Sequence, residues 1–168
     1  MVKRRIAVGL LAMSATGFVT WQASEGFTDH AVIPTKGDVP TIGHGSTRYE
    51  DGRPVRMGDR ITRERASVLA RNLMTAEERR FAASLPGVKL HQEEFDVYMD
   101  FVGQFGMSNW RGSSMQRRLV AGDYSGACNA LLLYKYAAGY DCSTPGNKRC
   151  GGVWTRQLER NRKCMEAQ

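Results

Sequence analysis

The feature that most constrains the fold is a run of 23 residues, from Arg63 to Leu85, that contains neither proline nor glycine. Thr62 is suited to cap its first turn, and Pro86 ends it. Its apolar residues recur at roughly helical spacing, at Val68, Leu69, Leu73, Ala76 and Phe81. We therefore predict a helix of about twenty residues, long enough to be shared by two lobes of one domain.

The segments on either side of this helix favour different structures. Before it, residues 38–58 contain short polar-apolar runs and the turn signal Asp51-Gly52, which predict a small antiparallel sheet. After it, helices are predicted from His91, from Ser113 or Ser114 to Ala121, from Ser125 to Gly139, and from Val153 to Met165. The aromatic residues that follow His91 are interpreted as core packing. Strands and helices in separate stretches indicate an α+β fold.

The N-terminus has the charge pattern of a membrane-targeting segment. MVKRR is followed by 19 residues without charge, Ile6–Ser24, which predicts a signal-anchor over residues 1–24 and a globular domain over 25–168. Ten of the 19 residues are Gly, Ala, Ser or Thr, so the anchor should hold the membrane weakly. A cleaved signal peptide is an alternative, although a cut after Ala23 would place Trp21 where a small residue is needed. An ordinary first helix of the fold is another.

The chain is basic, with a net charge of +7 and a pI of about 9.5. This balance suggests an anionic partner, which can be nucleic acid, an acidic membrane face or an acidic wall polymer. Because the chain begins with an export-type segment, we expect no nucleic-acid partner. A basic protein that binds membranes and has no catalytic activity remains an alternative.

Four cysteines lie in the last 41 residues, at Cys128, Cys142, Cys150 and Cys164. Their spacings of 14, 8 and 14 residues do not fit zinc ligation, and no histidine follows His91. We therefore predict disulfides in an exported protein and no metal site. Three pairings are possible. Cys142 and Cys150 flank a Pro-Gly turn and can close a local loop, and Cys128 and Cys164 would then join two helices.

The stretch SEGFTDHAVIPTKGDVPTIGHGST, residues 24–47, contains the candidate catalytic groups. Cleavage of a glycosidic bond needs a protonated acid beside the leaving oxygen and a second group for water. Glu25 can serve as the acid, Asp38 can lie across a groove from it, and Thr41 can hold a water. Many unrelated chains have a Glu and an Asp at such a spacing. Gly43 and Gly45 allow close approach of the backbone or a tight turn. His44 between them is expected to be an exposed strand residue, with a pocket-lining role as the alternative.

These residues resemble those of the phage-type lysozymes, the muramidase endolysins of glycoside hydrolase family 24. The order EG, then TIGHGST, is similar to theirs. FDVYMDFVGQFG resembles their second-lobe helix, SSMQRRLVAGDYSGACNALLLYKYAAG a helix pair, and GGVWTRQLERNRKC their closing helix. The resemblance covers about residues 20–165. The N-terminal segment resembles that of the signal-arrest-release endolysins in this family.

The resemblance implies a two-lobed fold with a cleft, in which a small β-sheet lobe and a larger helical lobe are joined by a long helix. It implies hydrolysis of the β-1,4 bond between N-acetylmuramic acid and N-acetylglucosamine in peptidoglycan, leading to host cell lysis. We expect a monomer without cofactors that sits in the host inner membrane through its N-terminal anchor and then acts in the periplasm. A lytic transglycosylase that uses Glu25 alone is the alternative enzyme.

The resemblance also implies roles for particular residues. Glu25 corresponds to the acid and Thr41 to the residue that places the water, but the middle residue does not carry over. Counting the family spacing forward from Glu25 reaches Pro34, and counting it back from Thr41 reaches Thr35. This chain therefore has one inserted residue between them. Asp38 is the only carboxylate between His30 and Thr41 and is the expected base, with Thr35 as the alternative. Gln104 stands where the family has a cleft-facing amide and is a candidate sugar contact.

Overall fold

The computed structural model describes residues 4–168. The chain divides into two compact units: a small unit, Ala12–Arg80, and a helical unit, formed by the residues up to Leu11 together with Phe81–Gln168. The helices are α1 Ala15–Glu25, α2 Arg63–Ala83, α3 Gln92–Trp110, α4 Ser114–Val120, α5 Tyr124–Ala130 and α6 Gly151–Glu166. The strands are β1 Ile6–Ala7, β2 Thr28–Val32, β3 Thr41–Gly43, β4 Lys89–Leu90, β5 Tyr136–Ala137 and β6 Tyr140–Asp141. Two 3-10 turns cover Val8–Leu10 and Leu131–Leu133.

The small unit is built around the antiparallel pair β2–β3, in which Thr28 pairs with Gly43 and Val32 with Thr41. Side chains from this pair, the following loop and α2 form one apolar core. Its buried members are Ala31, Ile42, Val55, Ile61, Ala66 and Leu69. The sheet is therefore fixed on the first half of α2, and the start of α1 is fixed to the second half, where the Met13 N–H donates to Glu78 at 2.8 Å.

The helical unit contains an aromatic core centred on α3. The Trp110 ring lies 4.7 Å from that of Phe81 and 5.4 Å from that of Tyr98, and its Nε1–H donates to Ser84. These rings are fully buried, so the interpretation of the aromatic stripe as core packing is confirmed. Aromatic rings in such tilted contacts bury large apolar areas, which makes α3 the centre of this unit.

The expected α+β fold is confirmed, with a small sheet-bearing unit and a larger helical unit that share α2. Helix α2 has the predicted start and length, and the Thr62 hydroxyl accepts from the Arg65 N–H. Ser113 caps α4 by accepting from the Gln116 N–H. Helix α3 continues to Trp110 but is interrupted at Gly106, whose φ of 81° is not helical.

Two predictions of secondary structure were wrong. The sheet expected over 38–58 is displaced, because β3 pairs with the earlier β2, and residues 46–58 contribute only isolated bridges such as Arg48–Pro54. The helix expected from Ser125 begins at Tyr124, because the Asp123 side chain accepts from the Gly126 N–H and caps it. That helix stops at Ala130 and gives way to the β5–β6 hairpin.

The four cysteines form two disulfides, Cys128–Cys164 and Cys142–Cys150. The first joins α5 to α6. The second closes the loop between β6 and α6. Both lie within the helical unit and are the two pairs favoured by the sequence.

The N-terminal segment is divided between the two units. In the helical unit, β1 pairs with β4, with Ile6 opposite Leu90, and Val8 is buried. In the small unit, residues 15–25 form α1. Among residues 4–168, no helix has the length and apolar character needed to cross a membrane.

Candidate active site

Glu25 is the last residue of α1, and the structure of this helix determines where its carboxylate lies. Ser14 caps the N-terminus by accepting from the Gly17 N–H, and Gly26, with a φ of 73°, ends the helix. The Gln22 amide donates to Ser67 on α2 at 2.9 Å. These contacts place Glu25 at the exposed edge of the small unit, beside the end of β3.

The sequence TIGHGST forms a closed turn beside Glu25. Ile42 and Ser46 exchange both backbone hydrogen bonds, each 3.0 Å long, and enclose the three residues Gly43, His44 and Gly45. We refer to these three residues as the GHG turn. Closing three residues in so short a loop requires a left-handed backbone, which glycine adopts without strain.

The two glycines of the GHG turn are required for different reasons. Gly43, with a φ of 66°, faces α2, and a β-carbon there would lie only 2.8 Å from the Ala66 β-carbon. Gly45, with a φ of 79°, faces the catalytic candidate, and a β-carbon there would lie 3.6 Å from Oε2 of Glu25. Gly43 therefore lets the strand pack on α2, whereas Gly45 is required by its left-handed backbone, since the added β-carbon would make only an ordinary contact with the carboxylate.

His44 is buried, so the expectation of an exposed strand histidine was wrong. Only 8% of its surface is accessible, and its Nδ1 lies 2.5 Å from the backbone oxygen of Gly26. Its ring lies 5.7 Å from that of Phe27, which is covered in turn by the Arg63 guanidinium at 4.1 Å. The side chain turns inward because the left-handed glycines on both sides bend the backbone around it.

The other candidates of the small unit lie along β3 and the loop that precedes it. Thr41 pairs with Val32 in the β2–β3 ladder, and its hydroxyl is 3.4 Å from the Val32 carbonyl oxygen. Asp38 and Thr35 lie in the exposed loop between the strands, where the Asp38 N–H donates to the Thr35 carbonyl at 2.9 Å. Asp38 and Thr35, the two candidates for the second catalytic residue, therefore lie in one turn.

Gln104 belongs to a polar cluster on α3 and α6 of the helical unit. Its amide oxygen accepts from Arg160 at 2.7 Å. Arg160 is only 3% exposed and shares the Asp100 carboxylate with Arg156, at N–O distances of 2.6 Å each. Burial alone would raise the pKa of Asp100, but the two guanidinium groups outweigh it and hold that pKa below its ordinary value. The cluster fixes the Gln104 side chain.

Several contacts around the candidate residues have no signal in the sequence. The bond from His44 to Gly26 joins a side chain to a backbone oxygen 18 positions away. In the polar cluster, Asp100 of α3 bonds to Arg156 of α6, 56 positions further along the chain. Burial of an arginine within the closing helix, where polar residues dominate, cannot be recognised from spacing alone.

Solved structures with the same fold define the class of protein. The structure of a mutant of P22 lysozyme superposes on this chain with a TM-score of 0.74 and 28% identity, covering 93% of this chain and 99% of that one. A glutamate at the end of a helix beside a short β-pair, carried on this fold, defines a lysozyme-type glycosidase.

The sequence comparisons identify the family. The endolysin of Salmonella phage P22 is 33% identical over 129 residues, which are 76% of this chain and 86% of that protein. The SAR-endolysin of Enterobacteria phage PA-2 is 24% identical over 169 residues, 99% of this chain and 94% of that protein. The profile of the family described as Phage lysozyme matches residues 22–158. The chain therefore belongs to the phage lysozyme family, as the resemblance predicted.

Proposed function

We propose that this protein is an endolysin that hydrolyses the β-1,4 bond between N-acetylmuramic acid and N-acetylglucosamine in peptidoglycan and so lyses the host cell. The observation that carries the proposal is the position of Glu25 at the end of α1, with Oε2 facing Gly45 of the GHG turn. The family profile matches residues 22–158, a range that contains Glu25 and Thr41.

In this proposal Glu25 protonates the leaving oxygen of the glycosidic bond. Thr41 holds the attacking water. Its hydroxyl donates toward Val32, and its lone pairs can still accept a hydrogen bond from that water. Asp38 acts as the base, with Thr35 as the alternative in the same turn. Gln104, held by Arg160, contacts a sugar.

The decisive experiment replaces Glu25 with Gln, which preserves the shape and removes the titratable proton. We expect wall hydrolysis to fall on the order of a hundredfold or more, because general acid catalysis is lost. Gln22→Ala, one turn earlier on the same helix, is the control for disturbance of α1. Near-normal hydrolysis by Glu25→Gln would refute the mechanism and would favour a protein that only binds the wall or the membrane.

The products distinguish a hydrolase from a lytic transglycosylase. Hydrolysis leaves a reducing N-acetylmuramic acid end, and transglycosylation leaves a 1,6-anhydro end. Mass spectrometry of the digested muropeptides separates the two. Asp38→Asn should be far more damaging than Thr35→Ala if Asp38 is the base, and the reverse order would assign the role to Thr35. Tolerance of both changes, together with anhydro products, would favour the transglycosylase.

We also propose that residues 1–24 are a signal-anchor that holds the enzyme in the host inner membrane before its release to the periplasm. Three observations support this. The stretch Ile6–Ser24 carries no charge and follows a basic end. A relative that aligns with 99% of this chain is named a SAR-endolysin. Helix α1 has no buried residue, and the buried Nε1 of Trp21 finds no hydrogen-bond partner among residues 4–168.

The poor burial of α1 and the Trp21 indole, unpaired among the described residues, are typical of a segment that can lie either in the membrane or in the folded protein. An indole N–H without a partner is unfavourable in a folded protein, whereas tryptophan at a membrane interface reaches water or headgroups. Residues such as Val19, 62% exposed, would be favourable in lipid and gain little in the folded state. In this proposal, the described structure corresponds to the released enzyme.

A further inference from the structure

We infer that His44 is a positioning residue for Glu25: it holds the C-terminal end of α1 through the Gly26 carbonyl and thereby fixes the catalytic carboxylate. The inference rests on the proposed role of Glu25 as the acid. The imidazole is buried and bonds to the backbone, so this role does not require His44 to contact the substrate.

The hydrogen bond itself has a defined direction. A carbonyl oxygen can only accept, so the proton of this bond belongs to Nδ1 of His44. The acceptor is the oxygen of the residue that follows Glu25, at the helix end where carbonyl groups lack intrahelical partners.

His44 is enclosed by contacts on its aromatic and backbone sides. Phe27 packs against the ring, and the Arg63 guanidinium lies over the Phe27 ring. On the backbone side, Gly43 packs against Ala66 of α2 so closely that no β-carbon fits. The imidazole is thus attached to the rigid β3–α2 part of the small unit.

The same turn lies beside Glu25. A β-carbon added at Gly45, the residue after His44, would lie 3.6 Å from Oε2 of Glu25. The GHG turn therefore holds the end of α1 through the Gly26 oxygen and lies next to the carboxylate. Helix α1 has no buried residue of its own, so core packing does little to position Glu25. The bond to the Gly26 oxygen supplies that positioning. A displacement of about 1 Å at a reacting group can reduce turnover by about a hundredfold.

The test compares two substitutions at His44, one that provides a hydrogen-bond donor and one that does not. His44→Asn places an amide N–H near the position of Nδ1, and His44→Leu provides similar bulk without a donor. His30→Leu is the matched control, because the His30 side chain lies in the same unit but is exposed and bonds to neighbouring Asp29. The variants are assayed on soluble peptidoglycan fragments, well below the lowest thermal midpoint, and kcat and KM are measured separately.

We expect His44→Leu to lower kcat by more than about tenfold with little change in KM, because the acid is misplaced while sugar binding is retained. His44→Asn should recover most of kcat, and His30→Leu should resemble the parent. A parent-like kcat for His44→Leu, or an Asn variant no better than the Leu variant, would overturn the inference.

Two further variants keep the result interpretable. If His44→Leu does not fold, Asn is compared with Gln, whose donor lies one bond further out, and equal kcat values for the two would overturn the inference. Glu25→Gln is assayed in parallel. Full activity of Glu25→Gln would refute the proposed function, whereas its inactivity beside a fully active His44→Leu would refute only the role of His44.

Discussion

At the scale of single residues, the GHG turn shows how a short sequence meets three constraints at once. Gly43 permits close packing on α2, His44 reaches the end of α1, and Gly45 supplies the left-handed backbone that closes the turn beside Glu25. A side chain at either glycine would require a strained backbone. The turn therefore connects the packing of the small unit to the geometry of its carboxylate.

The packing constraint at Gly43 predicts a measurable loss of stability. Gly43→Ala should lower the free energy of unfolding by about 2–4 kcal/mol, because a left-handed alanine costs about 1 kcal/mol and crowding against Ala66 adds about 1–3 kcal/mol. Gly52→Ala is the control, since its φ is also positive, at 84°, and nothing lies within 4 Å of the added carbon. Urea denaturation of both variants measures the difference. Equal losses would show that backbone strain alone determines the effect.

The site was predictable from sequence only where its chemistry is local. Glu25 and Thr41 are predicted as candidates because a carboxylate and a hydroxyl precede the glycine-rich turn in a family-like order, and their roles stay predictions. The burial of His44 was not predicted, because it depends on how the turn bends and on a backbone oxygen of another element. For the middle residue, one inserted position leaves Asp38 and Thr35 as alternatives, and both lie in an exposed loop.

At the scale of elements, the polar cluster of Asp100, Gln104, Arg156 and Arg160, which we call the polar clamp, joins α3 to α6 in the helical unit. Asp100 receives Arg156 and Arg160, and the nearly inaccessible Arg160 also bonds to Gln104 and Gln157. A buried guanidinium is strongly unfavourable without its counter-charge. The clamp therefore fixes the register of α6 on α3 and the orientation of Gln104.

The polar clamp predicts that the free energy of unfolding depends on pH. Asp100→Asn should reduce the free energy of unfolding by about 3 kcal/mol at neutral pH, since it leaves Arg160 buried without a countercharge. The folded pKa of Asp100 lies below its ordinary value of 3.8, so the stabilisation is present above that value and is lost as the pH falls through the folded pKa. Parent and variant should thus converge at low pH in denaturant titrations. A constant difference from pH 7 to pH 2.5 would contradict this account.

The two disulfides should stabilise the helical unit unequally. Cys128–Cys164 closes a separation of 36 residues and Cys142–Cys150 one of 8. By loop entropy, the first should contribute about 4 kcal/mol and the second about 2.5 kcal/mol. Thermal unfolding of the two paired Cys→Ser variants should therefore show the greater loss for Cys128→Ser/Cys164→Ser. The opposite order would mean that contacts of the β6–α6 loop, and not chain entropy, dominate.

Long periodic elements were predictable, and short ones were not. The uninterrupted run of residues 63–85 predicted α2 almost to its ends, and Ser113 predicted the start of α4. Strand β2 was missed because five residues without strict alternation carry little signal, and its partner β3 lies beyond an irregular loop. The helix after Asp123 was predicted too long, because the apolar run Leu131–Leu133 continues past the point where α5 ends.

At the scale of the whole molecule, the segment 4–25 adopts several structures instead of one apolar helix. Arg5 bonds to the fully buried Glu94 at 3.1 Å and lies over the ring of Tyr124. Gln168, the last residue, also donates to Glu94. In the proposed anchored state, an Arg5 on the cytoplasmic side of the membrane could not reach Glu94, and that carboxylate would lose its arginine partner. Formation of these contacts would therefore favour the released state.

The balance between lipid and folded protein predicts how release can be blocked. Gly9, Thr16 and Thr20 are exposed in the described structure, and no atom lies within 4 Å of a β-carbon added at Gly9. Leucine at these three positions should disturb the folded state little. Each leucine favours membrane insertion by about 0.3–0.6 kcal/mol on the translocon scale, so the triple variant should shift the distribution toward the membrane by roughly tenfold.

We therefore expect Gly9→Leu/Thr16→Leu/Thr20→Leu to remain in the membrane fraction and to lyse cells late or not at all after the membrane is de-energised. Serine at the same three positions is the matched control and should be released at least as readily as the parent. Fractionation and lysis timing measure both variants. Equal release of the two would show that hydrophobicity of this segment does not control the enzyme. A mature chain beginning near Ser24 would show instead that cleavage sets it free, in which case the contacts of Arg5 with Glu94 would play no part in activation.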